Sequence, residues 1–282
     1  MTREVRTVVF DEDLKLEAYQ FEGIMQKFPN HFHDYYVIGF IEQGNRLLTC
    51  NNEAYTLNSG DIVIFNPQDP HACEQIDGRT LDYRCINIQP EVMREYVQEI
   101  TGKCYLPRFK QTVLFQSDLA VSLHELHKMI VEGQTDFQKE ELLLFLLEQL
   151  FRVYSDSAAT SPAEELSAEI KIICEYMESH YAENMTLNQL KELSGLGKFR
   201  LLRLFTKEKG ISPYRYLETI RINQAKRLLE QGVLPVEVAF KTGFSDQSHF
   251  TNFFKKLIGL TPKQYRSIFK PSEAKTALEI LG

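Results

Sequence analysis

Residues 235–266 read PVEVAFKTGFSDQSHFTNFFKKLIGLTPKQYR, and an earlier stretch, residues 192–217, repeats their pattern as ELSGLGKFRLLRLFTKEKGISPYRYL. In both, a short apolar-striped segment stops at a glycine, Gly195 or Gly243, and a basic segment follows. Each basic segment carries an aromatic–basic cluster, Phe205-Thr206-Lys207 or Phe254-Lys255-Lys256. Each then closes on glycine, an apolar residue, a hydroxyl residue and proline: Gly210-Ile211-Ser212-Pro213 and Gly259-Leu260-Thr261-Pro262. A short helix, a tight turn and a basic helix make a helix-turn-helix pattern. Its recurrence is an internal repeat of about 48 residues. Local signals agree, since Thr186 is suited to cap the first helix and Pro235 to open the third.

The segment between the copies has a telling length. Ser212 and Pro213 open a helix that runs to Gln231 before Gly232, about twenty residues or roughly 30 Å. Successive major-groove faces lie about 34 Å apart along DNA. A rigid helix of that length can hold two recognition helices on one side of a duplex.

Which side chains would meet DNA follows from the apolar stripe. In the first recognition helix Leu201, Leu204 and Phe205 point inward, leaving Phe199, Leu202 and Arg203 for base edges. An arginine can pair with guanine through two hydrogen bonds, and an apolar side chain can touch a thymine methyl. In the second, Phe244, Phe250 and Phe253 are core, and Gln247, Ser248, His249 and Asn252 face outward with hydrogen-bonding groups. Lys198, Arg200, Lys207, Lys255 and Lys256 read as phosphate contacts, which fix register without reading sequence.

Net charge seems to oppose this. The chain has 282 residues, suited to two domains, and a formal charge of −7. Residues 1–160, however, hold 14 basic against 25 acidic side chains, whereas residues 184–270 hold 16 against 6. An acidic half is thus joined to a segment of net charge +10, which suits a phosphate backbone. The join, SDSAATSPAEE at residues 155–165, has linker composition. Five cysteines without close pairs argue against a disulfide framework or zinc knuckle. The longest apolar run, Leu142–Leu147, is far too short for a membrane span, and no secretory signal opens the chain. A cytoplasmic protein with no membrane partner is expected.

Residues 5–90 are short apolar segments (TVVF, YYVIGFI, RLLTC, DIVIFN, LDYRCINI) broken by Gly, Asn, Asp and Pro. That spacing predicts a small antiparallel all-β barrel. The period then changes: Leu119, Leu123, Leu126 and Ile130 mark one helix, and residues 137–154 a second that is apolar around much of its circumference. Such a pair can bury against the barrel and against a second subunit across a two-fold axis; a purely intrachain pair is the alternative. His31, His33 and His71, with Tyr35, Arg46 and Tyr83, are the candidate effector-pocket residues. The three histidines could also hold a metal. The carboxylate that would complete such a site is not evident, because Glu42 follows His33 by nine residues and Asp34 points the other way on a regular strand. No metal and no cofactor are therefore expected, with a His31–His33–His71 metal site as the alternative.

The C-terminal stretch resembles the AraC/XylS family of bacterial transcription regulators over residues 170–269, most closely over Pro235–Arg266. Ile220-Arg221, Ala225 and Leu228-Leu229 match the family's linker helix. Residues 29–88 are similar to its cupin-like sensor domains through His31-x-His33, Gly44, Gly60-Asp61, Pro67 and His71, and residues 115–154 lie where its dimerisation helices fall. Gly197-Lys198 departs from the pattern, where a capping serine is frequent. The resemblance implies a cupin-like effector-binding and dimerisation domain at 1–154, with helices at about 115–132 and 137–154. A linker at 155–165, a double helix-turn-helix domain at 166–270 and a tail at 271–282 would follow. It also implies a homodimeric, sequence-specific activator that binds double-stranded DNA, answers a small-molecule effector and works with RNA polymerase. A metal-dependent barrel enzyme and a non-specific architectural DNA binder are the competing readings. The first leaves the repeat unexplained, and the second leaves the N-terminal half without a role.

Overall fold

The structure is a computed structural model that describes residues 4–134, 138–155 and 166–269. Nine strands come first: β1 (Val5–Asp11), β2 (Leu16–Ile24), β3 (Phe28–His31), β4 (Tyr36–Gln43), β5 (Arg46–Cys50), β6 (Glu53–Leu57), β7 (Ile62–Phe65), β8 (His71–Gln75) and β9 (Leu81–Ile88). Helix α1 (Pro90–Thr101), the short β10 (Val113–Leu114), α2 (Leu119–Val131) and α3 (Gln138–Tyr154) complete the N-terminal domain. The C-terminal domain is all helix: α4 (Ala168–Ser179), α5 (Leu187–Ser194), α6 (Lys198–Lys209), α7 (Pro213–Glu230), α8 (Pro235–Lys241), α9 (Gln247–Ile258) and α10 (Pro262–Ile268). The expected linker falls mostly, and the expected tail wholly, outside the described residues. None of the described helices is long and apolar enough to cross a membrane.

The N-terminal domain is not the closed, cupin-like all-β barrel that the turn spacing predicts. Its strands form two separate antiparallel sheets, ordered β1-β2-β9-β4-β7-β10 and β3-β8-β5-β6. A barrel needs an unbroken ladder all the way round; here β1, β10, β3 and β6 are edges. The reason lies in what covers the larger sheet. Ile38, Phe40, Ile62, Ile64, Ile86 and Ile88 pack against Leu123, Leu126, Leu146 and Leu150 of the helices. Their neighbours Val37, Ile41, Val63, Phe65 and Cys85 pack the other way, with Leu48 and Leu57 of the smaller sheet. A strand covered on both faces is apolar throughout, as β4 is, rather than alternating. The domain is therefore mixed α/β, three layers deep. Helix α1, which the sequence reading did not anticipate, adds Met93 and Val97 to the helix-side core.

The C-terminal domain follows the repeat. Thr186 caps α5 in a reciprocal capping box with Gln189, Gly195 ends that helix at φ +68°, and Ser212 caps α7 ahead of Pro213. Helix α7 has 18 residues, about 27 Å at 1.5 Å each. The core of the first unit is Ile173, Met177, Leu190, Leu201, Phe205 and Tyr216. The second unit's core, with Leu229, Val238, Phe244, Phe250 and Phe254, runs into the apolar cluster that contains Tyr19 and Phe21 of β2. The two domains thus share buried surface.

That junction also holds charge. Lys226 Nζ of α7 lies 3.1 Å from Glu17 Oε2 of β2 and 4.0 Å from the centre of the Tyr35 ring. The Tyr265 hydroxyl sits between the carboxylates of Glu17 and Glu230. At the rim, the carbonyls of the two equivalent turn glycines are both held by the N-terminal domain. Asn30 Nδ2 donates to Gly210 at 2.8 Å, and Arg6 Nη1 to Gly259 at 3.2 Å.

Candidate functional site

Helices α6 and α9 are the basic second helices of the two units. On α9, Phe250, Phe253, Phe254, Leu257 and Ile258 are buried, which leaves Gln247, Ser248, His249, Asn252, Lys255 and Lys256 exposed along the opposite side. Asp246 starts the helix by accepting the His249 N–H at 2.7 Å. That bond holds the Asp246 carboxyl below its ordinary pKa. The His249 ring leans edge-on against Phe244 with centroids 5.5 Å apart, so it is less free to reach outward than its neighbours. On α6, Leu201 and Phe205 are buried and Leu204 is half-buried, while Lys198, Arg200, Leu202, Arg203 and Lys207 are exposed. Arg200, Arg203, Leu204 and Lys207 line one shallow surface depression. The side chain of Phe199 lies outside the described residues. Gly197 caps α6 with no side-chain hydrogen bond, in contrast to Asp246 on α9.

These faces have the chemistry of a DNA surface. A bidentate donor and amides share the exposed sides with Lys207, Lys255 and Lys256 of the last turns, and the free N–H groups at the two helix N-termini favour phosphate. Leu201, Phe205, Phe250 and Phe253 are buried, and Leu202, Arg203, Gln247, Ser248, His249 and Asn252 are exposed.

A second candidate site lies between the two sheets. It is a cavity of about 100 Å³ with apolar walls from Phe21, Val37, Leu48, Phe65 and Leu81. Polar groups enter it at intervals: His31, His33 and His71 from the smaller sheet's side, and Tyr19, Tyr35 and Tyr83. Five of the six expected pocket residues are there. Arg46 is the exception, because its buried guanidinium is taken up by the carbonyls of Ile24, Asn45 and Arg79 at 2.6, 2.7 and 3.1 Å. It pins a hairpin instead of facing the cavity. Gly39 makes room for Tyr83, whose hydroxyl would lie 2.2 Å from a Cβ there.

Burial sets the protonation inside the cavity. It depresses the His31 pKa to about 4 and drives those of His33 and His71 well below the usual 6.5, each imidazolium also raising the cost of charging its neighbour. It pushes the Cys85 thiol up to about 12 and Cys73 to about 11, so neither is a thiolate at neutral pH. Tyr19 is 4 % exposed, and its hydroxyl has no hydrogen-bond partner among the described residues. A buried hydroxyl left unpaired costs stability and invites a ligand atom.

Two wall residues come from the other domain. Leu257 and Ile258, from the C-terminal end of α9, close one side of the cavity. In the sequence they are ordinary core residues of a helix stripe, and nothing local shows that the core they enter belongs to another domain.

Residues 14–169 match the family model described as the AraC-like ligand binding domain, and residues 191–268 match a helix-turn-helix domain model. The chain belongs to the AraC family of transcription regulators. This AraC-family chain is 61% identical to the Bacillus subtilis protein named as the uncharacterized HTH-type transcriptional regulator YbfI, over 88% of its own length and 90% of that protein's. It is 26% identical to the HTH-type transcriptional activator RhaS of Escherichia coli, over 85% and 87% of the two lengths. Among solved structures, an apo point variant of ToxT from Vibrio cholerae superposes with a TM-score of 0.56 at 16% identity. The match covers 91% of this chain and 97% of that one, which shows a shared fold. The two sequence relatives are named as transcription regulators, and the AraC-family chain is a DNA-binding transcription regulator and not an enzyme.

Proposed function

We propose that the protein is a cytoplasmic, homodimeric transcription activator that reads a specific DNA sequence with α6 and α9. A small molecule held between the two sheets would control it. The observation that carries this reading is the position of α9. One end presents Gln247, Ser248 and Asn252 to solvent, and the other end, through Leu257 and Ile258, is wall of the cavity. A ligand held in the cavity packs against that wall, which couples occupancy to the DNA-reading helix. Differential affinity for two placements of α9 is what a ligand needs in order to shift an equilibrium.

Base contacts are assigned to Phe199, Leu202, Arg203, Gln247, Ser248, His249 and Asn252, and phosphate contacts to Lys198, Arg200, Lys207, Lys255 and Lys256. The apolar residues Val121, Phe145 and Val153, on α2 and α3, are exposed at 72%, 49% and 57%. They support a self-complementary contact between two copies through that helical face. RNA polymerase is the partner an activator requires.

Selection of bound sequences from random duplex DNA, run with and without a panel of metabolites, tests the reading. A recovered motif with two half-site elements about one helical turn apart is expected, enriched differently when the right metabolite is present. Recovery of unenriched sequence under every condition would leave only non-specific binding.

A further inference from the structure

The three imidazoles at the edge of the cavity are built as a tripod. His31 and His71 are register partners on β3 and β8. His33 is tied to the loop before β8, because the Gln68 N–H donates to its carbonyl at 2.6 Å. That loop is itself braced: Asn66 Nδ2 donates to Asp69 Oδ2 at 2.9 Å and to the Phe109 carbonyl at 3.0 Å. Ring packing completes the support, with Phe65 stacked on His71 at 3.9 Å and Tyr35 on His33 at 4.8 Å between centroids. The three imidazole centroids lie 4.5, 4.7 and 5.0 Å apart, and one ring nitrogen from each falls within 4.8 Å of the others.

The orientation of the lone pairs follows from the backbone. His31 Nδ1 is 2.6 Å from the Pro29 carbonyl, and His71 Nδ1 is 2.9 Å from the Asp69 carbonyl. A carbonyl can only accept, so both Nδ1 atoms carry the proton and Nε2 keeps its lone pair. Metal-binding histidines are held in this way, their second nitrogen donating to a backbone carbonyl or a carboxylate.

We propose that His31, His33 and His71 bind one transition-metal ion, zinc(II) or a near relative such as cobalt(II) or nickel(II), with an open coordination position facing the cavity. Three imidazoles and no carboxylate select a borderline-soft ion over magnesium or calcium. Nitrogens bound to one tetrahedral ion at 2.0–2.1 Å lie about 3.4 Å apart. The tripod therefore has to close by up to about 1.4 Å on binding. The carboxylate that the sequence reading looked for is not needed, since three histidines with one open position form a complete protein ligand set. Glu42 is engaged by Arg84, and Asp34 lies 3.7 Å from Arg227.

The ion deepens the effector reading, on which this part rests. Three neutral ligands leave both positive charges of the ion uncompensated, so its open position favours an anionic donor. The effector class is then a small molecule with a carboxylate, thiolate or similar donor on an apolar body, matching the apolar walls.

The test uses the purified full chain, stripped with a chelator and titrated with cobalt(II) alone, followed by visible absorption, and with zinc(II) by calorimetry. One ion per chain is expected, with the intense absorption of low-coordinate cobalt. Affinity should fall at least roughly a hundredfold in His33→Gln and in His71→Gln, and His180→Gln should bind as the parent does. No cobalt absorption in the parent chain, or equal affinity in the glutamine variants, overturns the site. Should a variant fail to fold by circular dichroism, X-ray absorption of the zinc-loaded parent counts its imidazoles; three support the site and fewer overturn it. Neither DNA nor effector enters these titrations. A regulator that binds zinc but never answers a metabolite would refute the effector reading alone.

Discussion

Replacing Lys226 by methionine should loosen the junction between the two domains far more than the loss of one side chain suggests. Lys226 and Glu17 are 3% and 8% exposed, with Nζ and Oε2 3.1 Å apart. At that distance an effective dielectric constant of 20 gives about 5 kcal/mol of attraction. Burial alone would discharge the ammonium, yet Glu17, Tyr35 and Glu230 outweigh it and raise the Lys226 pKa. The ammonium is thus charged at neutral pH, and its contribution is full below the ordinary lysine pKa and is lost as alkaline pH rises through the raised folded-state value. Methionine keeps the volume but leaves the Glu17 carboxylate buried without its cation, a loss of about 3–5 kcal/mol. Expressed as a docking equilibrium between domains, that is two to three and a half decades. Solution X-ray scattering reads the consequence directly. A docked chain of 282 residues should have a radius of gyration near 19 Å, and Lys226→Met should expand by several ångströms. Adding Glu17→Gln should restore much of the docking, because the amide needs no counter-ion and Tyr265 can still hydrogen-bond it. Scattering and melting unchanged in Lys226→Met, or a double variant no better than the sum of the singles, would refute the reasoning.

Arg203→Ala should cost about 1–3 kcal/mol on a selected duplex and relax preference at one base, whereas Lys256→Ala should weaken all duplexes alike and reduce the salt slope by about one. Competition binding at several salt concentrations separates the two, and equal losses on specific and random DNA for Arg203→Ala would remove it from the reading face. Acid should destabilise the N-terminal domain through a histidine that burial holds neutral. His127 titrates at about 4 in the folded chain, against 6.5 when exposed, so its contribution to stability is full above pH 6.5 and falls by about 1.4 kcal/mol per unit towards pH 4. Denaturant titrations at pH 7, 6 and 5 check this, and a flat profile counts against burial as the cause. Gly243→Ala should destabilise the second helix-turn-helix unit by about 1–3 kcal/mol, since φ is +79° and the new Cβ would meet the Ala182 carbonyl oxygen at 2.7 Å. A melt equal to the parent's would show that the turn relaxes.

The helical half was legible because its signals are local. Caps at Thr186 and Ser212, prolines at 213 and 235 and glycine stops at 195, 210 and 259 each act within a few residues, and the repeat states them twice. The same kind of signal is present for α1, where Pro90 opens and Gly102 closes an amphipathic run. The sheet half was less legible because barrel closure is not local. The uninterrupted apolar run of β4 reports cover on both faces, but not whether the cover is a strand or a helix. Arg46 was misplaced for a related reason. A lone cation in a strand-rich segment looks available to a ligand until the three carbonyls around it are seen. Lys226 and Leu257 lie furthest from inference. Glu17, the partner of Lys226, is 209 residues away, and the cavity that Leu257 lines belongs to another domain; no periodicity carries such distances.

Helix α9 has a consequence for exchanging parts between regulators. On the function proposed above, its outward residues, Gln247, Ser248 and Asn252, form a reading head that can be rewritten without touching the sensor. Its inward residues, Leu257 and Ile258, are part of the sensor's own wall and belong with Phe21 and Phe28 more than with the domain that encodes them. A chimera that takes its last hundred residues from a relative would therefore carry a new address and a mismatched receptor. Grafting only the outward positions onto this helix would keep the receptor intact, so the functional seam of the molecule runs lengthwise through α9 and not through the linker.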